Sequence, residues 1–299
     1  MSALDAVGGG TAGGGRGALG PGSALSRARA VRLPAWSVLV AGLVTALVLV
    51  AALFPGLLTS TDPNAADPVT ALAAPGGGHL LGTDQLGRDV LARIIYGARP
   101  SLFIGVGATA LAVAAGSVLG ILAATGGRVL DEAIMRLTDV FLAFPGLLLA
   151  LVVAAVLGPG TGDATLAIGC SLTPGFVRLA RGQALVVKNA DYVRGAVAYG
   201  RGRLSNGVRH LLPNTLPPLL VLATINIGTA VIAGSSLSFL GLGPKAPTAE
   251  WGEMLSDGRD FLATAWAMAV FPGVAITVTV VAVNVLGRDL RRRFEGREA

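Results

Sequence analysis

The sequence is poor in charged, aromatic and cysteine side chains. Only 13% of its 299 residues are charged and 5% are aromatic, whereas 53% are hydrophobic and the mean hydropathy is +0.70. Disorder needs low hydrophobicity and high charge, so it is excluded for most of the length. Cys170 is the only cysteine, which excludes a disulfide-stabilised scaffold. An apolar chain with so few charges indicates a helical membrane protein.

The residue sets that bind metals or nucleotides are also missing from the sequence. Its only histidines, His79 and His210, and Cys170 form no Cys/His metal set without a partner chain. Neither of its lysines, Lys188 and Lys245, belongs to a G-x-x-x-x-G-K-[ST] phosphate-binding loop. We therefore expect no metal, no cofactor and no enzyme activity, and any ATP hydrolysis must occur on another polypeptide.

Long stretches without Asp, Glu, Lys or Arg predict the membrane spans. Five such stretches contain between 23 and 35 residues, and about 20 residues of helix cross a bilayer; they are residues 33–61, 100–127, 140–162, 210–244 and 261–287. A sixth, 164–177, is shorter and is interrupted by Pro174 and Gly175. It predicts either a sixth span, lengthened by Arg178 and Arg181 reaching the interface, or a re-entrant segment. We expect an all-α polytopic membrane protein with about six transmembrane helices.

The distribution of basic residues predicts the orientation. With six spans and a cytoplasmic start, 18 of the 23 Lys and Arg residues fall on the inner side, as cytoplasmic loops require. Both termini are then cytoplasmic, in the inner or plasma membrane. Because the basic residues flank several spans and no aromatic residues are interleaved among them, the net charge of +6 predicts no nucleic-acid partner.

The same features divide the chain into five regions. Residues 1–32 are rich in glycine and predict a flexible cytoplasmic tail. Residues 33–61 form the first transmembrane helix, whose apolar part is too long for a secretion signal, so an uncleaved anchor is expected. The others are an external loop with an amphipathic helix over 62–99, a transmembrane core over 100–288 that includes a cytoplasmic loop over 178–213, and a basic cytoplasmic tail over 289–299.

The external loop contains a motif of turn-forming and charged residues. Thr83 is placed to cap a helix with Asp84 in its first turn, and Asp84–Arg88 and Asp89–Arg93 are spaced as helical ion pairs. The pattern predicts either an amphipathic helix at the outer interface or a solvated, capped helical face. The site residues proposed here are Gly82, Thr83, Asp84, Gly87, Arg88 and Asp89.

Polar residues within the spans are few. The long spans contain no ionisable side chain, which disfavours an ion-coupled secondary transporter. For Asn226 and Asn284, which lie in predicted spans, we favour a role in interhelical hydrogen bonds over a role in substrate contact. Gly116 and Gly120 have the spacing that lets membrane helices approach closely, and packing within the subunit is the default interpretation.

The cytoplasmic loop carries the pattern with the most specific function. A short helix over 191–199, breaks near Gly200 and near Asn206 and Gly207, and a proline before the next span predict a compact docking shape. The loop resembles that of the integral-membrane subunits of ATP-binding cassette importers, where a coupling helix docks on the ATPase. In that family Glu usually stands where Arg194 is and Ala where Gly195 is. The docking residues implied are Tyr192, Val193, Arg194, Gly195, Ala196, Gly200, His210, Leu212 and Pro213.

The resemblance extends from about residue 33 to 293. Leu81–Asp89, Tyr96–Arg99, Ser236–Gly243, Trp251–Leu255 and Phe271–Gly273 are similar to the second permease subunit of the dipeptide, oligopeptide and nickel branch. This implies the type-1 importer transmembrane fold and half of a translocation path. It also implies a homologous permease subunit, two ATPase subunits that hold ATP and Mg, an external solute-binding protein and surrounding lipid. Peptides are the substrate favoured, with nickel or another small solute as the alternative.

Overall fold

The computed structural model describes residues 35–199 and 202–295, which are mainly helical. Within these ranges the β pairing is limited to an isolated bridge between Thr83 and Asp89. The described residues form ten α-helices, which are α1 Ala35–Leu53, α2 Val90–Thr125, α3 Arg128–Leu142, α4 Gly146–Leu157, α5 Thr161–Lys188, α6 Asp191–Ala198, α7 Arg203–Asn206, α8 Leu212–Phe239, α9 Trp251–Gly258 and α10 Ala267–Glu295.

Four helices in the described ranges are long and apolar enough to cross a membrane. They are α1, α2, α10 over Ala267–Arg293, and α8 together with the turn before it, Gly207–Phe239. Their outward faces carry exposed apolar side chains such as Leu39, Leu43 and Leu47 of α1. Such a face is stable in lipid and costly in water. The all-helical membrane architecture that the composition predicts is therefore confirmed.

The stretch 140–162 does not form one straight span. Its apolar residues form α4, which has only 12 residues, and the amphipathic helix α3 meets α4 at an angle of 95°. Pro145 stands directly before α4, and a proline disfavours helical geometry in the residue that precedes it. The α3–α4 pair counts as a fifth candidate span only if the two helices cross together.

Helix α5 is where the sixth span is predicted. It has 28 residues, and its length of about 42 Å exceeds the hydrocarbon thickness, but its composition does not place it among the candidate spans. Its basic side chains pair with acids of α3 instead of only reaching toward an interface. Arg181 lies 2.5 Å from Asp131, and Arg178 lies 2.5 Å from Asp139. Crossing by α5 stays a prediction.

Helix α2 is central to the packing and contacts α5 and α8 along much of its length. A Cβ at Gly116 would lie 2.4 Å from the Phe176 Cβ, and one at Gly120 would lie 2.5 Å from the Ala180 Cβ. The two glycines thus allow α2 and α5 to approach closely, which supports the packing interpretation of their spacing.

Candidate functional site

The connection between α5 and α8, residues 189–211, contains the short helix α6. Lys188, at the end of α5, donates to the carbonyl of Ala124 near the end of α2, at 2.7 Å. A cation is favourable there because the carbonyl end of a helix carries partial negative charge. This hydrogen bond joins the ends of α2 and α5 close to α6.

The Val193 side chain attaches helix α6 to this pair of helix ends. Val193 is 2% exposed and packs with Ala124, Ala184 and Leu211. Burying a valine contributes about 1.5–3 kcal/mol relative to leaving it exposed. Helix α6 is therefore packed against the ends of both α2 and α5.

The other face of α6 is open. Tyr192 and Arg194 are exposed, and the Tyr192 ring lies edge-on to His210 with centroids 6.0 Å apart. A Cβ at Gly195 would meet no atom within 4 Å. Ala196 is half-buried, and Tyr199 at the end of α6 is 94% exposed. The exposed side of this segment thus carries Tyr192 and Tyr199, with open space beside Gly195.

A π-helical turn, Gly207–Leu211, joins the connection to α8. Leu212 begins α8 and Pro213 occupies its first turn. Proline has no N–H for the usual helical bond, so a wider turn is accommodated before it. The predicted break at Asn206 and Gly207 is thus a change of helix type, with both residues buried. Gly200, the predicted break next to α6, lies outside the described residues.

On the opposite end of the helices, the predicted motif Gly82–Asp89 forms a closed turn. The Asp84 carboxylate accepts from the Leu86 and Arg88 amides, both at 2.9 Å, and pairs with the Arg88 guanidinium at 2.6 Å. Asp84 and Arg88 are both buried. Gly87 has a φ of +76°, and its missing side chain leaves room for the Asp67 carbonyl. A paired buried charge of this kind holds the loop in one conformation.

The expectation that Thr83 caps a helix is wrong. The helix begins at Val90, and its cap is Asp89, which accepts from the Ala92 amide at 2.8 Å. Thr83 accepts from the Ala73 amide at 2.8 Å and holds two parts of the loop together. Asp89 pairs with His79 at 2.9 Å in place of the helical pair expected with Arg93. The reason is that Gly82 and Gly87 both adopt positive φ, which suits a turn and breaks a helix.

Sequence reasoning missed a buried polar cluster beneath this turn. Glu250 is fully buried, accepts from the Ser101 hydroxyl at 2.8 Å, and caps α9 by accepting from the Glu253 amide at 2.9 Å. The Trp251 indole donates to the Ile94 carbonyl at 2.8 Å. An acid directly before the apolar start of a short helix is the available signal.

Glu253 lies at the edge of the same cluster. Burial raises the pKa of Glu253 to about 7; Asp257 adds to this, whereas Arg93 opposes it. Its carboxyl therefore changes charge near neutral pH.

A groove of about 530 Å³ runs between α2 and α8. Its wall is apolar and is formed by residues such as Val106, Val113, Leu216 and Leu220, with Ser117 as a buried polar member. The described residues that line the groove are apolar or carry a hydroxyl, and none of them is charged.

The two intramembrane asparagines lie elsewhere. Asn226 donates to the Leu222 carbonyl of its own helix at 3.0 Å. Asn284 of α10 packs against Gly228 of α8, where an added Cβ would lie 3.1 Å from its amide nitrogen. The bond of Asn226 therefore lies within its own helix and differs from the predicted interhelical hydrogen bond, whereas Asn284 packs against a second helix.

The sequence of the chain matches a known protein family and several known proteins. Residues 116–297 match the family described as the binding-protein-dependent transport system inner membrane component. The chain is 41% identical over 245 residues to the probable D,D-dipeptide transport system permease protein of Escherichia coli strain K12, covering 82% of both chains.

Two further relatives have comparable identity. A dipeptide transport system permease protein of Alkalihalophilus pseudofirmus is 40% identical over 252 residues, 83% of this chain and 82% of the relative. A glutathione transport system permease protein of Pectobacterium atrosepticum is 41% identical over 217 residues, 73% of this chain and 72% of the relative.

Proposed function

The chain belongs to the family of inner-membrane components of binding-protein-dependent transport systems, and we propose that it forms half of the translocation path for short peptides in an ATP-driven importer. The observation that carries the proposal is the identity of about 40%, over more than four fifths of both chains, to permeases named for dipeptides. A relative named for glutathione, itself a short peptide, agrees with this substrate class.

The other half of the path comes from a homologous permease subunit. The groove between α2 and α8 is apolar and open, and α3 and α4 carry exposed apolar residues such as Leu137, Phe141 and Leu148. Two such subunits that face each other would cover these surfaces and enclose a path between them.

Helix α6 is the proposed contact with the ATPase subunits, which hold ATP and Mg. Its exposed face is free to enter a groove, while Val193 attaches it to the ends of α2 and α5. When the ATPase pair closes, it would carry α6 and with it α2 and α5. The groove between α2 and α8 then alternates between inward-facing and outward-facing states.

The opposite end receives the solute-binding protein in this proposal. The outer ends of α2 and α10 are covered by the turn Gly82–Asp89, by α9 and by the cluster around Glu250. An ion pair, a buried hydrogen bond and apolar packing hold these parts in place. A rigid surface suits the docking of a soluble partner, because little conformational entropy is lost on binding.

Uptake in a deletion strain tests the substrate class. Loss of the gene should abolish uptake of a labelled dipeptide and leave nickel uptake unchanged, and the wild-type gene should restore it. Normal dipeptide uptake with lost nickel uptake would reject the peptide proposal and leave the assignment to the family intact.

A further inference from the structure

A second pocket, of about 280 Å³, lies between α1, α2, α8 and α10. Thr45 of α1 and Leu102 of α2 lie in its wall, with Thr224 of α8 and Thr279 of α10. It adjoins the proposed path, because Val106 and Ile227 line both cavities, but it differs from the path in that α1 and α10 form one side of it and neither helix lines the groove between α2 and α8.

The pocket opens toward the surface of the subunit. Three of its lining residues are exposed, Leu49 of α1 by 46%, Val106 of α2 by 47% and Leu290 of α10 by 36%. Since α1 and α10 are both candidate spans, this opening faces the interior of a bilayer. Lipid acyl chains are the apolar groups available there.

The depth of the pocket corresponds to one leaflet. Its lining residues on α10 extend from Thr279 to Leu290, a rise of about 16 Å along the helix. The hydrocarbon core of a bilayer is about 30 Å thick, so one leaflet takes up about half of that thickness. The acyl chain of a lipid in one leaflet therefore has about the same length as the pocket.

A cluster of positive charge lies at the Leu290 end of the pocket. Residues 288–293 contain four arginines and one aspartate. Arg293 lies one turn beyond Leu290 and on the same face of α10 as Leu286. Its guanidinium pairs with Asp289 at 2.7 Å and is largely exposed, and it has further N–H groups that can donate to a phosphate.

We propose that this pocket binds an anionic phospholipid, with one acyl chain between α1 and α10 and its headgroup phosphate at Arg293. The apolar wall takes the chain, and the arginine cluster selects a negative headgroup over a zwitterionic one. The lipid would fill the space between α1 and the helices that move during transport, so it would stabilise the attachment of α1 to the rest of the subunit.

Native mass spectrometry of the assembled transporter tests the proposal, with phosphatidylglycerol as the probe and phosphatidylcholine of identical chains as the comparison. Wild type should retain one phosphatidylglycerol more than the Val283→Trp variant, whose side chain fills the pocket. Arg293→Gln should weaken that binding about fivefold, since a basic side chain near a membrane surface contributes on this scale.

Two matched variants serve as controls. Arg128→Gln breaks another exposed pair, between Arg128 and Glu132, and Val281→Trp adds the same ring on an exposed face of α10 that does not line the pocket; both should retain the lipid. Arg293 is exposed, so its variant folds even if Val283→Trp does not. Equal binding of phosphatidylcholine, or equal binding by Arg293→Gln and Arg128→Gln, would overturn the proposal.

Discussion

Gly87 is the residue on which the closed turn of the outer loop depends. Its φ of +76° belongs to a region that costs other residues energy. A Cβ there would lie 1.8 Å from the Asp67 carbonyl oxygen, far inside any permitted contact. Both the conformation and the close approach therefore require glycine.

We predict that Gly87→Ala destabilises the outer loop by roughly 1–3 kcal/mol, the usual cost of a strained backbone residue. The purified subunit should show a lower thermal midpoint and faster proteolysis within residues 62–89. The matched control is Gly77→Ala in the same loop, where a Cβ meets no atom within 4 Å. Equal midpoints for the two variants would show that the turn does not need the positive φ.

At the scale of an element, α6 combines a buried anchor with an open face. Val193 holds it to α2 and α5, and Gly195 faces empty space. A side chain added at Gly195 should therefore leave the isolated subunit intact, and should even favour the helix, in which glycine is unfavourable. Only a partner that contacts this face would be disturbed.

We predict that Gly195→Gln inserts normally but reduces peptide uptake at least about tenfold, equivalent to about 1.4 kcal/mol of lost docking or coupling energy, with less ATPase recovered on co-purification. Gly77→Gln adds the same side chain in open space on the external loop and should transport normally. If Gly195→Gln retains both normal uptake and the normal amount of ATPase, α6 is not the docking element.

At the scale of the whole molecule, orientation and the crossing of α5 are linked. The two ends of α5 lie at Thr161 and Lys188. If α5 crosses, the external loop and the start of α5 share one side of the membrane, and the connection that contains α6 lies on the other.

Cysteine labelling in intact cells tests both points. In a Cys170→Ser background, an impermeant thiol reagent should label Asn64→Cys and Gly162→Cys, but not Asn189→Cys or Ser205→Cys. Asn64, Gly162, Asn189 and Ser205 are all exposed, so each site is accessible from its own side. Labelling of Gly162→Cys and Asn189→Cys from the same side would make α5 re-entrant, and a fully reversed pattern would invert the orientation.

The sequence by itself determined the class of the protein, because hydropathy acts over whole segments. A bilayer core accepts long uncharged stretches as helices, so the larger part of α1, α2, α8 and α10 lies within the predicted stretches, although α2 begins earlier, at Val90, and includes Arg93 and Arg99. The short helix α6 followed from residue spacing within the loop 178–213, and the family followed from that loop together with the motifs between residues 33 and 293.

Only the tertiary structure decided how the charged and polar residues are used. The spacing of Asp84 and Arg88 fits an ion pair in a helix and in a tight turn alike, and the positive φ of Gly87, opposite the Asp67 carbonyl, selects the turn. The sequence predicts that Arg181 reaches the membrane interface, whereas in the structure it pairs with Asp131, which is distant in sequence. The burial of Glu250 against Ser101 likewise joins residues far apart in the chain. Local pattern specifies what a segment can form, whereas pairings between distant segments depend on helices meeting in space.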